Sequence, residues 1–365
     1  MLATDSGEKG LVLLLKVIEM ISITDGNIIE ADAEALVNTV NCVGYMGKGI
    51  ALQFKQAYPR NFDAYSKACR SNDIKPGKML VYETGQMFNP RYIINFPTKR
   101  HWRGKSRLED IVIGLNALVQ DVKRLNIKSI AVPPLGCGLG GLRWSVVRPM
   151  IEKAFSELPY VEVRLYAPHG APEAKTMPVH TAEPKMTIAR ALLIKLMEKY
   201  LELSYRLTLL EVQKLAYFLQ EAGEPLQLRY EAGHYGPYAP NLNKLLERIE
   251  GHFIRGYGDR QKPDTEIELL PEAIEAANEF LKDNEDSKKR LQKVSEVIEG
   301  FETPYGVELL STVHWVSRYS EPSANDVNTA ITAVHNWNER KRGMFREPHI
   351  RIAWQKLEQQ SWLRV

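Results

Sequence analysis

The sequence predicts an α/β domain followed by a mainly α-helical one, and three observations carry that division. Up to about residue 168, short apolar runs of strand character alternate with amphipathic helical stretches. From Thr187 onward the apolar period is helical almost throughout. Between the two lies "APHGAPEAKTMPVHTAEPKM", Ala167 to Met186, with four prolines and no apolar period. At 365 residues the chain suits two domains of roughly 100–200 residues each. The expected layout is an N-terminal extension over 1–19, a first domain over 20–168, a linker over 169–186 and a helical domain over 187–365.

In order along the chain, "ISITDGNI" and "ALVNTVN" read as strands. "GIALQFKQAY" is amphipathic, with Ile50, Phe54 and Tyr58 four apart. "GKMLVYET" and "RYIINFPT" give two more strands. Leu115, Leu118, Val119, Val122 and Leu125 then make one apolar stripe on a helix from Arg107 to Leu125. "SIAVPPL" is a buried strand, "RWSVVRPMIEKAFSEL" a helix and "VEVRLYA" a closing strand. Such alternation predicts a sheet covered by helices on both faces, with ligands bound at the carboxyl ends of its strands. The first nineteen residues include "LVLLLKVIEM", which Lys16 interrupts, which is too short to span a bilayer and which no small-residue cleavage site follows. They read either as an addition upstream of a start at Met20 or as an extra helix.

Composition excludes several classes. With 44% apolar and 25% charged residues the profile is that of a globular protein, without low-complexity tracts or a membrane span. Cys42, Cys69 and Cys137 are too scattered for a disulfide framework or a metal site, so a cytoplasmic setting is expected. Lys and Arg minus Asp and Glu gives about +6 over residues 1–170 and about −3 over the rest, which suggests a different partner for each half.

Two glycine clusters fall at predicted strand ends. "NTVNCVGYMGKGIA", Asn38 to Ala51, follows one strand and leads into a helix, and "PPLGCGLGGLRW", Pro133 to Trp144, does the same further on. Glycine permits positive φ and lets backbone N–H groups approach an anion unshielded, and each helix N-terminus adds about half a positive charge. Two such loops on one sheet edge suit a diphosphate. "GCGLGG" also matches the GxGxxG of a dinucleotide-binding unit, but it lies far from the first strand and leaves the other loop unexplained. "GYMGKG" lacks the spacing and the Ser or Thr of a P-loop.

Taken together, "GNIIEADAEALVNTVNCVGYMGKGIALQFKQAYP", "INFPTKRHWR" and "PPLGCGLGGLRW" resemble a macrodomain, the ADP-ribose-binding fold, over about Met20 to Pro168. More narrowly they resemble the macrodomain antitoxins that remove ADP-ribose from DNA modified by a partner toxin. The resemblance implies a three-layer domain with a mixed sheet covered by helices on both faces, followed by a mainly α-helical domain that binds the toxin. It implies Asn27 and Ile28 at the adenine, Asn41 at the distal ribose, and Gly47, Gly49 and Ile50 along the diphosphate. The opposite phosphate loop is then Gly136, Cys137, Gly138, Leu139 and Gly140, with Thr39 and Thr98 also lining the cleft. No metal or cofactor is implied.

Catalysis by this resemblance rests on Lys99 of "FPTKR", attacking or electrostatically assisting at the anomeric carbon of the distal ribose. A lysine partly desolvated among other cations has its pKa pushed down, which suits either role. One departure stands out. The related glycohydrolase that acts on protein pairs its lysine with an aspartate in the second glycine loop, where this chain has Gly140. In "KRHWRGKSR", Arg100, His101, Trp102 and Arg103 alternate charge with aromatic character, as single-stranded DNA carrying the modified base would require. A loop whose charges are merely solvated is the plainer alternative. Cys42 and Cys137 lie inside the glycine loops but have no histidine in a recognisable motif, and read as small residues. A non-catalytic ADP-ribose-binding module and a glycohydrolase acting on protein are the competing functions.

In the second half, Thr208 and Glu211 form a capping box before "LLEVQKLAYFLQEAG". "GHYGPYAPNL" reads as an exposed turn leading into a helix at Leu242. His252, His314 and His335 lack metal spacing.

Overall fold

The computed structural model describes residues 20–168, 177–203, 206–258 and 262–363. The reading of residues 1–19 as an extension therefore lies outside the described residues. The chain divides into two units, with the boundary after Ala182.

The first unit is built on six strands: β1 Ile21–Thr24, β2 Ala35–Asn41, β3 Leu80–Glu83, β4 Tyr92–Lys99, β5 Ser129–Val132 and β6 Glu162–Tyr166. They lie in the order β1-β6-β5-β2-β4-β3. All neighbours are parallel except β3, which runs antiparallel to β4, so the sheet is mixed as expected. Strand alternation sends Ala35 and Val37 to one face and Leu36 to the other. The first face packs on α3, Leu108–Arg124, and α4, Trp144–Phe155, through Leu115, Leu118, Val122, Val147 and Ile151. On the second face, Leu36, Ile93 and Ala131 meet Phe54 and Ala57 of α1, Gly49–Ala57. Each fully buried side chain of this size contributes about 1.5–3 kcal/mol, and α3 adds Glu109 and Asp110 in its first turn with Lys123 and Arg124 in its last, matching its dipole.

One helix escaped the sequence reading. Helix α2, Pro59–Arg70, starts at a proline in its first turn and carries Tyr65 and Cys69, four apart and buried, beneath the first glycine loop. It also contributes Asn61 to a buried amide ladder. Asn38 Nδ2 donates to Asn95 Oδ1 at 3.0 Å, and Asn95 Nδ2 donates to Asn61 Oδ1 at 2.7 Å, joining β2, β4 and α2.

The register of β2 against β4 positions the site. Asn38 pairs with Asn95 and Val40 with Pro97, but Asn41 pairs with Lys99, so β4 carries one extra residue at its end. Proline has no N–H for the ladder, and a bulge at this point is its physical consequence. The result is that Asn41 and Lys99 end side by side on adjacent central strands.

The expected linker is only partly a linker. Met177 is buried against Ile28 and Tyr166, and His180 donates its N–H to the Gln56 carbonyl at 2.8 Å, so residues 177–182 pack on the first unit.

The second unit is mainly helical: α5 Ile188–Leu203, α6 Leu209–Glu221, α7 Leu242–Ile249, α8 Pro271–Leu281, α9 Glu285–Ile298, α10 Pro304–Arg318, α11 Val327–Trp337, α12 Glu339–Met344 and α13 Glu347–Gln359. Both arms of the Thr208–Glu211 capping box form. "GHYGPYAPNL" departs from its reading as an exposed turn. It forms a hairpin of β7, Glu231–Gly233, and β8, Gly236–Tyr238, with Gly236 and Pro237 buried. Lys214 Nζ donates to the Pro237 carbonyl at 2.6 Å and Trp337 Nε1 to that of Gly233 at 2.9 Å, so the hairpin is clamped from two helices. A further short pair joins β9, Ile254–Arg255, to β10, Glu268–Leu269.

Candidate active site

The two glycine loops face one another across the carboxyl ends of the central strands. The nearest atom to a Cβ on Gly49, at the start of α1, would be Leu139 Cδ1 of the second loop, at 3.9 Å. Lys99 leaves β4 between them and donates from Nζ to the Leu139 carbonyl at 2.7 Å. Burial, then the charges of Lys105 and Lys48, hold its amine below the ordinary lysine range. Lys48 is itself lowered by burial. Lys99 and Lys105 thus both reach the second loop, with Lys99 bonded to Leu139 and Lys105 beside Gly141, and Lys48 adds its charge from the first.

The first loop is shaped from within by Asn41. Its Oδ1 accepts from the Val43 N–H at 2.9 Å and the Tyr45 N–H at 3.4 Å, while its Nδ2 donates to the Tyr45 carbonyl. The Tyr65 hydroxyl adds a bond of 2.7 Å to the Asn41 carbonyl. The residue expected at the distal ribose is here the anchor of the loop. A Cβ on Gly47 would fall 2.4 Å from the far end of the Tyr45 ring, which packs beside it.

At the opposite end, Asn27 caps a short 3-10 turn, Ile28–Glu30, by accepting the Ile29 N–H at 3.0 Å, and its Nδ2 lies 3.4 Å from Met177 Sδ. Ile28 is buried beneath it. Met177 went unnoticed in the sequence because proline-rich surroundings hid it. Thr39 is half-buried, whereas Thr98 is buried with its hydroxyl directed at the Val40 carbonyl, 3.4 Å away. In the second loop Gly136, Leu139 and Gly140 gather around Ser106 and Lys99, while Gly138 is exposed.

Neither cysteine of the loops is activated. Burial pushes the Cys42 and Cys137 thiols up to about 11, and each Sγ points at a backbone carbonyl, that of Lys99 at 3.4 Å and that of Leu135 at 3.5 Å.

The basic loop divides in two. Arg100 grips Asp110 with two hydrogen bonds of 3.0 and 3.1 Å, and Asp110 is buried, so this arginine braces the loop against α3. His101, Trp102 and Arg103 are exposed. Trp102, 38% exposed, has Arg103 over its ring at 4.6 Å, stacks on His101 at 5.5 Å and meets Tyr45 of the first loop at 5.4 Å. The sequence reading missed Tyr45.

Among the described residues, no group of three or more His, Cys, Asp or Glu could hold a metal. In the second unit His314 is buried against the Tyr217 hydroxyl at 2.7 Å and burial lowers it to about 3, and His335 bonds the Phe345 carbonyl at 2.8 Å. No helix among the described residues is long and apolar enough to cross a membrane.

A mixed sheet between helical layers, with two glycine loops at its strand ends, defines a macrodomain, and the family model described as Macro domain matches residues 37–151. Over 345 residues the chain is 45% identical to the DNA ADP-ribosyl glycohydrolase of Thermus aquaticus, covering 94% of this chain and 95% of that one. It therefore belongs to the DNA ADP-ribosyl glycohydrolases, the DarG family, and is an enzyme of that class. It is also 34% identical over 169 residues to a Thermosipho africanus DNA ADP-ribosyl transferase–DNA ADP-ribosyl glycohydrolase fusion protein, covering 42% of this chain and 43% of that one. Among solved structures, the macrodomain of Mycobacterium tuberculosis DarG is similar at 54% identity and a TM-score of 0.41, covering 41% of this chain and 98% of that one.

Proposed function

We propose that the cleft between the glycine loops holds the ADP-ribose of a modified nucleotide in single-stranded DNA, and that Lys99 is the catalytic residue. The carrying observation is Lys99 Nζ itself, held between the two loops on the Leu139 carbonyl, with burial and two neighbouring lysines favouring its uncharged form. Its lone pair attacks the anomeric carbon of the distal ribose, and the glycosidic bond breaks. The base leaves with the bonding pair of the glycosidic bond and takes a proton from water, and the hydroxide so formed takes up the proton released when the cationic lysine adduct is hydrolysed. Water then displaces the lysine, which regains its amine, and ADP-ribose is released. The diphosphate lies along Gly47, Gly49, Ile50 and the second loop, and the adenine lies toward Asn27 and Ile28.

DNA is favoured over protein as the carrier of the modification by exposed Trp102, His101 and Arg103 at the mouth of the cleft and by the absence of an acid at position 140. Lys99→Ala should abolish release of ADP-ribose from a modified oligonucleotide while leaving ADP-ribose binding near its original strength. Undiminished turnover by that variant would sink the mechanism, and a wild-type protein that binds ADP-ribose without turnover would favour a binding module.

The helical domain, residues 187–365, binds and silences the partner toxin in this reading. Its support is the Thermosipho protein, in which a transferase and a glycohydrolase share one chain, and the net acidity of this half, which suits a basic DNA-binding groove. Both activities belong in the cytoplasm, where the modified DNA is.

A further inference from the structure

Ser106 takes no part in the reading above, yet it sits against the second glycine loop. It closes the basic loop just before α3, is only 7% exposed, and its hydroxyl has no hydrogen-bond partner among the described residues. A buried hydroxyl left unsatisfied costs about 1–3 kcal/mol, so its placement calls for a compensating gain.

The surroundings supply one. A Cβ added to Gly140 would fall 2.3 Å from Ser106 Oγ, and one added to Gly136 would fall 3.0 Å from it. The serine hydroxyl therefore fills the notch between these two glycines. Its backbone N–H donates to the Gly140 carbonyl at 3.0 Å, and the next carbonyl back, that of Leu139, receives Lys99 Nζ at 2.7 Å. Lys105, the neighbour of Ser106, lies 3.4 Å from the Cβ position of Gly141. Residues 105 and 106 thus pin the loop on one side of the carbonyl that holds the catalytic lysine.

We infer that Ser106 is a positioning residue for hydrolysis: by filling the Gly136–Gly140 notch it fixes the Leu139 carbonyl and, through it, Lys99 Nζ. The inference rests on the assignment of Lys99 above. It also gives a steric reason for the missing acid, because Ser106 Oγ and the Gly136 carbonyl already occupy the space a side chain at 140 would need. The low proton affinity of Lys99 depends on the same closure, since burial and Lys105 are its first two causes.

The test uses the full chain and an ADP-ribosylated single-stranded oligonucleotide. Ser106→Ala empties the notch, and kcat should fall about tenfold to a hundredfold, the scale of a misplacement near 1 Å. KM and ADP-ribose affinity should stay near wild type, and the rising limb of the pH–rate profile should move to higher pH as Lys99 becomes better solvated. Ser106→Cys, which refills the notch with sulfur, should recover most of the rate. A Ser106→Ala enzyme with unchanged kcat and pH profile would overturn the inference alone. So would a loss of rate that merely follows a lower melting temperature and that cysteine does not repair. Full turnover by Lys99→Ala would instead overturn the lysine assignment and this inference with it.

Discussion

Two glycines of the second loop, two residues apart, should fail in opposite ways when given a methyl group. At Gly138 an added Cβ meets nothing within 4 Å, whereas at Gly140 it would lie 2.2 Å from the Gly136 carbonyl oxygen and 2.3 Å from Ser106 Oγ. The Gly140 contacts are some 0.7–0.8 Å inside the 3.0 Å that real Cβ atoms keep, and the first is with backbone, which cannot swing aside. Gly140→Ala must therefore displace the loop. We expect it to cost about 1–3 kcal/mol of stability, as overpacking does, and about a hundredfold in kcat if the Leu139 carbonyl moves by roughly 1 Å. Gly138→Ala should melt within about 0.5 kcal/mol of wild type, because the protein does not use that space. If the ligand does, binding should weaken at least about tenfold, since bare backbone there is what admits the diphosphate. Thermal unfolding and calorimetric titration with ADP-ribose read both variants. A Gly138→Ala protein that binds ADP-ribose as tightly as wild type would refute the placement of the ligand. A fully active Gly140→Ala protein would refute the steric argument.

Lys105→Gln removes the second-largest cause of the lowered Lys99 amine, so the pKa of Lys99 should rise, its free-amine fraction at neutral pH should fall and the pH–rate limb should move upward; an unmoved limb would count against it. Burial lowers Lys214 to about 7, so between pH 7 and its ordinary 10.5 the unfolded chain binds the extra proton and stability rises with pH. Lys214→Met should flatten that rise, and a slope of stability against pH unchanged in the variant would refute its assignment to Lys214. An acidic second unit seated in a basic groove should lose affinity for the toxin steeply between low and physiological salt, and a salt-insensitive complex would exclude that mode.

Much of the first unit was legible because strands and helices there advertise themselves by period. Leu115, Leu118 and Val122 recur at helical spacing, and Ala35 to Asn41 is buried throughout but for half-buried Thr39. Helix α2 was not, since its apolar residues are sparse and only a proline after Tyr58 marks its start. The two strands of the hairpin that includes much of "GHYGPYAPNL" are three residues long, too short for alternation to register. Within the site, residue type and loop position pointed to the glycines, whereas Lys99 rested on the family resemblance, since residue type alone suits a solvated lysine equally well. What the sequence hid was partnership: that Arg100 belongs to buried Asp110, that Asn41 also bonds the loop beside it, and that Tyr45 reaches Trp102. These pairings depend on tertiary approach between segments that no local period encodes.

The asparagine ladder beneath the loops also acts as a check on alignment. Because Asn38 faces Asn95 across β2 and β4, a slip of one residue would turn every side chain of a strand to the other face. It would turn the amide of the slipped strand away from its mate, at about 1–3 kcal/mol for an unsatisfied buried group. A misaligned sheet is thus rejected several residues before the strands reach Asn41 and Lys99. The error that would separate those two residues by a strand step is corrected deep in the core, where solvent and ligand have no say.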